Sequence, residues 1–229
     1  MELKTLLDSV KMRAIVDSLA KGLTELKLRL EAFGAGRLGL SAAQQAPDAA
    51  VLRLDLERRL RSADLEVPDG VAQRWIGSGF DREEGLLART ALLEALRDWG
   101  SSDRLRMGAS LAHGAGLGVA AVRTVRGKGP VRVGVDIETA DRVVPIRVFD
   151  RFSHPDESAG ETEPIALWSL KEAVFKLGRT GTTPFREIRV SLESGSEGLR
   201  IGQAEWPSGR AIVGLLRSAE VFVAVACEI

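Results

Sequence analysis

The end of the chain constrains its fold most. Four short runs, REIRVSLE, GLRIGQAEW, RAIVGLLRS and EVFVAVACEI, follow one another from residue 186 to residue 229, separated by Gly and Ser. Apolar, β-branched runs of this length between turn residues read as strands, and short separations make neighbours antiparallel. Val131 to Glu138 is the clearest strand upstream: Val131, Val133, Val135 and Ile137 share one face, Arg132, Gly134, Asp136 and Glu138 the other. Ala109–Ala112 and Val119–Val125 are shorter strand-like stretches around a glycine cluster, and Gly127, Gly129 and Pro130 predict a turn. Arg82–Trp99 and Ile165–Leu177 have the three- and four-residue apolar spacing of amphipathic helices. Helices interspersed with hairpin-like strands predict an α+β fold with much antiparallel sheet.

A chain of 229 residues with 45% hydrophobic residues can bury a core, as one large domain or two small ones. Lys plus Arg and Asp plus Glu are both 32, so the chain has no net field with which to coat nucleic acid or an anionic membrane. A single cysteine, Cys227, rules out an internal disulfide framework and a cysteine-rich zinc site. No apolar run reaches the roughly 20 residues of a membrane span, and charges interrupt the N-terminus where a signal peptide needs continuous apolarity. A cytoplasmic location is expected.

Residues 3–33 read as an amphipathic helix through Leu3, Leu6, Leu7, Val10, Ile15, Leu19, Leu23, Leu26 and Leu30. Its stripe is either packed on the protein's own core or used for self-association or binding a partner. The following FGAGRLGLSAAQQAPD reads as a linker or turn region, and the alternation of Val51 to Leu56 as a strand.

Asp136 and Glu138, two apart on a strand, share a face about 6–7 Å apart. Neighbouring carboxylates raise each other's cost of ionisation, and a hard cation such as Mg²⁺ removes it. Ordinary solvated charge alternation is the alternative. Trp168, Glu172 and Lys176 lie at helical four-residue spacing. Glu172 and Lys176 are either a surface ion pair or a third carboxylate and a cation for an anionic substrate. His113 sits among Gly114, Gly116 and Gly118, either as a turn residue or beside backbone N–H groups able to approach a phosphate. The glycines do not spell G-x-G-x-x-G, since Val119 stands where the last glycine is needed; this disfavours a dinucleotide-binding domain.

Together these elements resemble the 4′-phosphopantetheinyl transferases of the larger monomeric type that activates peptide and polyketide synthases. The strand motif G-(V/I)-D-(I/V)-E is Gly134-Val135-Asp136-Ile137-Glu138. The helix motif W-S-x-K-E-(A/S)-x-x-K is Trp168-Ser169-Leu170-Lys171-Glu172-Ala173-Val174-Phe175-Lys176. Arg147 to Glu157 is similar to the family's R-F-(F/S)-x-x-E segment, and Phe80 to Leu96 to its upstream helix. The resemblance spans about residues 48–229.

It implies two similar α+β halves with pseudo-two-fold symmetry and coenzyme A in the cleft between them. A helical extension and linker (1–47) would precede a first half (48–125) and a second half carrying the ion site (126–229). The implied reaction is Mg²⁺-dependent transfer of the 4′-phosphopantetheine arm to a serine of an apo acyl or peptidyl carrier protein, releasing adenosine 3′,5′-bisphosphate. Asp136, Glu138 and Glu172 would hold Mg²⁺. Glu172 would take the serine proton and Lys176 would assist the leaving group. Coenzyme A contacts are implied for His113 (the 3′-phosphate), Ser110, Arg89, Lys171 and Lys176, with Arg74 and Arg82 as further basic candidates. Ala112 and Gly114 stand where the family usually has serines flanking the histidine. A relative that binds a carrier protein without modifying it is the alternative expectation.

Overall fold

The computed structural model describes residues 3–62, 65–66, 75–76, 80–97, 99, 105–126, 130–157, 162–178, 183–193, 195 and 198–229. Arg74 and residues 127–129 of the expected turn lie outside them. Among the described residues, five α-helices of defined extent and nine strands form a mixed α+β fold with two sheets. The first sheet has the order β1 (Arg37–Ala43), β4 (Leu117–Val125), β3 (Leu105–Gly114), β2 (Leu65–Glu66). It is antiparallel except for the short β2–β3 pair. The second sheet is antiparallel throughout, in the order β5 (Val133–Thr139), β9 (Val221–Glu228), β8 (Gly209–Arg217), β7 (Leu199–Trp206), β6 (Arg189–Leu192). The four strands expected at the end of the chain are β6 to β9.

Three apolar layers hold the sheets. Leu38, Ala112, Val119 and Ala121 of the first sheet share a core with Val133, Val135, Ile137, Ile201, Ile212, Val223 and Val225 of the second. Helices α2 (Ala49–Ser62) and α3 (Glu83–Ala95) cover the first sheet through Leu52, Leu56, Leu92 and Leu96 against Met107, Ala120 and Val122. Helix α5 (Pro164–Phe175) covers the second through Leu170, Ala173 and Val174 against Ala204, Val213 and Ala224. Helix α4 (Ile146–Phe152) adds Phe149 and Phe152 beside Leu167.

Two expectations are corrected, and of the two roles open to the stripe of α1 (Leu3–Ala32) its second half takes the core-packed one: Leu19, Leu23, Leu26 and Leu30 are buried in the core shared by the two sheets. Gly22 lets α1 approach β8 closely, since a Cβ there would stand 2.7 Å from Leu216 Cδ1. The expected linker contains β1, which pairs with β4 along its whole length, so a boundary at residue 47 cuts the first sheet off from its own edge. Val51–Leu56 is helix, not strand: Leu52 and Leu56, four apart, are buried, whereas Val51 and Leu54 are exposed. The Asp48 carboxylate accepts the Ala50 N–H at 2.8 Å and caps the helix start.

Candidate active site

The alternation of β5 sends Val133, Val135 and Ile137 into the shared core and leaves Gly134, Asp136 and Glu138 facing α5. Gly134 sets the distance of that helix. A Cβ there would stand 1.8 Å from the Ala173 carbonyl oxygen, so only glycine lets α5 lie this close to the strand. The approach brings Lys176, the residue that ends α5, onto Asp136. Its ammonium donates to Asp136 Oδ1 at 2.7 Å and to the Val135 carbonyl at 3.1 Å. Gly178, at a φ of 69°, completes the reversal after the helix.

Asp136 is buried, and its second oxygen, Oδ2, has no hydrogen-bond partner among the described residues. Glu172, one turn before Lys176, has its pKa raised, first by burial and then by the charge of Asp136. Glu138 adds to the rise and Lys176 opposes it. Glu138 accepts two hydrogen bonds from Arg142 Nη1, both 2.7 Å, an ion pair that the sequence reading did not anticipate. In this arrangement no three metal-ligating side chains among the described residues are gathered tightly enough to grip an ion. The carboxylates nonetheless have the character of a cation site. One buried oxygen lacks a donor, and Glu172, its pKa raised first by burial and then by the charge of Asp136, belongs to the same cluster. A hard, oxygen-loving ion such as Mg²⁺ fits that donor set.

The residues expected to contact coenzyme A divide. His113 lies at the far end of β3, half exposed, with Nδ1 3.4 Å from Glu84 Oε2 of α3. Ser110 Oγ accepts the Val135 N–H at 3.1 Å and so stitches β3 to β5. Arg89 is buried, donates to the Trp75 and Gly85 carbonyls, and lies 5.0 Å from the Phe80 ring centroid. Burial lowers its pKa. Arg82 precedes α3 and is exposed.

Lys171, expected to contact coenzyme A, is 0% exposed. It donates to Glu157 Oε2 at 2.7 Å and to the carbonyls of Phe152, Phe185 and Ile188, tying α5 to α4 and to the 3₁₀ turn Phe185–Glu187. Burial lowers its pKa and Glu157 opposes that shift. Glu157 also accepts the His154 and Val190 N–H groups, so the end of the Arg147–Glu157 segment is a brace for this helix. Trp168 joins the same brace, edge-on to Phe152 with centroids 5.2 Å apart.

Sequence comparison addresses the part of the chain that carries these groups. Residues 132–221 match the 4′-phosphopantetheinyl transferase superfamily. The match runs from the residue before β5 to the first residue of β9, and so takes in the Asp136, Glu138, Glu172 and Lys176 cluster together with the Glu157–Lys171 brace. No curated protein matches the chain. The superfamily domain supports phosphopantetheine transfer in general, with coenzyme A and a carrier protein as the general partners. No described helix is long and apolar enough to cross a membrane.

Proposed function

We propose that this protein transfers the 4′-phosphopantetheine arm of coenzyme A to a serine hydroxyl of an acyl or peptidyl carrier protein, in the manner of the larger monomeric transferases that serve peptide and polyketide synthases. The observation that carries the reading is the buried Asp136, held by Lys176 through one oxygen and unsatisfied at the other, beside a Glu172 whose pKa is raised. Asp136, Glu138 and Glu172 are the residues that would hold Mg²⁺. The ion would supply charge neutralisation on the pyrophosphate.

In the transfer, the serine oxygen forms a bond to the phosphorus that bears the pantetheine arm, and the bond from that phosphorus to the bridging oxygen breaks. Adenosine 3′,5′-bisphosphate leaves with that oxygen. Glu172 accepts the serine proton, directly or through water, and its raised pKa brings it nearer the range of an effective base. Lys176 places its ammonium where charge develops on the leaving group. His113 is assigned to the 3′-phosphate, and Glu84 must yield the imidazole for it to do so. The need for coenzyme A and carrier protein assigns the reaction to the cytoplasm.

The alternative, binding of a carrier protein without modification, draws on Ala112 and Gly114 beside His113 and on the inward turn of Arg89 and Lys171. Incubation with coenzyme A, Mg²⁺ and an apo carrier protein separates the two. Release of adenosine 3′,5′-bisphosphate with a matching mass increase on the carrier supports transfer. Carrier binding without either product favours the alternative.

A further inference from the structure

A cleft of about 590 Å³, within the range of ligand sites, opens between the two sheets at the end of α5. Trp75, Met107 and Leu111 line one side of it, and Lys176 and Leu177 the other. Arg106 and Arg132 also line it, and no carboxylate does among the described residues. The cleft therefore offers apolar walls and cationic groups, and through Lys176 it abuts Asp136.

The three cations differ in what already engages them. Lys176 is held by Asp136 and the Val135 carbonyl. Arg132 lies 3.4 Å from Glu228 and donates to the Leu177 carbonyl. The guanidinium of Arg106, a half-buried residue of β3, makes no hydrogen bond or ion pair to any described residue. Its position is fixed by the strand. Gly108, two residues on and on the same face of β3, lies so close to Val131 that a Cβ would stand 2.1 Å from its carbonyl oxygen. A guanidinium set in a cleft wall without a counter-charge gains most from a planar oxyanion, and phosphate matches its fork of donors.

We infer that Arg106 contacts a phosphate of coenzyme A in this cleft, beside Lys176. The inference rests on the transfer reading and adds to it a residue outside the segment that matches the superfamily. Calorimetric titration of coenzyme A and of 3′-dephospho-coenzyme A into the full chain and into Arg106→Ala and Arg106→Lys tests it. The alanine variant is expected to bind coenzyme A about 10- to 100-fold more weakly, as for a lost hydrogen bond to a charged group, with the lysine variant in between. An equal loss for both ligands puts Arg106 on the pyrophosphate; a loss confined to coenzyme A puts it on the 3′-phosphate in place of His113, which stands near the opposite end of β3. Arg106→Gln gives the same reading should the alanine variant melt early. Wild-type affinity for both ligands in the neutral variants overturns the inference and leaves the transfer reading intact. A wild-type chain that binds neither ligand overturns the transfer reading itself.

Discussion

Helix α3 on the first sheet and helix α5 on the second are seated by the same device. Gly118 of β4 would put a Cβ 2.1 Å from the Leu87 carbonyl carbon of α3, and Gly134 of β5 would put one 1.8 Å from the Ala173 oxygen of α5. Each helix also buries one cation, Arg89 in α3 and Lys171 in α5. The difference lies in what surrounds the cation and what stands on the exposed flank. Arg89 is satisfied by backbone carbonyls and an aromatic ring; Lys171 has three carbonyls and the Glu157 carboxylate. Only α5 carries an acid and a base onto neighbouring carboxylates. Close glycine seating is therefore a packing solution in both places, and under the proposed function a catalytic one only where the strand beneath bears Asp136 and Glu138.

The widest test asks whether the second sheet and its helix stand without what precedes them. Deleting residues 1–47 removes five buried leucines, Leu38 of β1 among them, and the β1 strand itself. At about 2–5 kcal/mol for each leucine lost from a core, the deficit matches or exceeds a typical total stability of roughly 5–15 kcal/mol. The truncated chain is expected not to fold. A soluble truncation with a cooperative melt and full transfer activity would show that the second region is self-sufficient.

Next, Asp136→Ala is expected to lower transfer by about 10³-fold or more, with a melting temperature close to wild type, because its neighbour Lys176 is partly exposed. Arg89→Met in the first region should leave the rate of the folded protein within a few-fold. Equal rate losses in the two variants would break the contrast between a packing helix and a catalytic one.

The buried cations sharpen it on stability. Lys171→Met leaves Glu157 buried without its charge partner and should cost about 3–5 kcal/mol, or about 10 °C in melting temperature. Arg89→Met strands carbonyls but no buried opposite charge, since its charged neighbour Asp81 is exposed, and should cost about 1–3 kcal/mol. Calorimetry on both variants checks the ranking, and a larger loss for Arg89→Met would reverse it.

The smallest effect belongs to Glu172. Its raised pKa means that the folded state holds the proton more tightly than the unfolded one. Its contribution to stability therefore falls as pH rises from the ordinary value of 4.5 through the raised one. Glu172→Gln should melt higher than wild type at neutral pH, and the two curves should converge in acid. Parallel curves from pH 4 to pH 8 would show that the carboxylates do not repel.

The strands of the second sheet and helix α5 were legible because their signals are local. Alternation on β5 and four-residue spacing on α5 need no knowledge of the rest of the fold. Strand β1 was not, because Arg37-Leu-Gly-Leu-Ser-Ala-Ala is rich in small residues and is a strand by virtue of β4. Helix α2 was misread because Leu52, Leu54 and Leu56 alternate with charged residues; the fold buries the first and last and leaves Leu54 exposed. In the site, Asp136, Glu172 and Lys176 came together as their spacing suggested. The direction of Lys171 could not be read, because its partners at 152, 157, 185 and 188 are distant in the chain. Arg142 and Glu138 form an i,i+4 pair across the end of β5, and that spacing was the available signal.

The placement of α1 also sets an order on the folding of the chain. Its buried leucines precede every other described core residue in sequence, yet Gly22 and Leu26 find seats on Leu216 and Gly214 of β8, far along the chain. Contacts between such distant parts of a sequence carry a large loop-closure cost and form slowly. Until they form, only β1, the next element in the chain, can cover part of the helix's apolar stripe, and chaperone capture and aggregation compete for the rest. Only once the penultimate strand has been made can the first helix settle, and the two sheets then lock as one body.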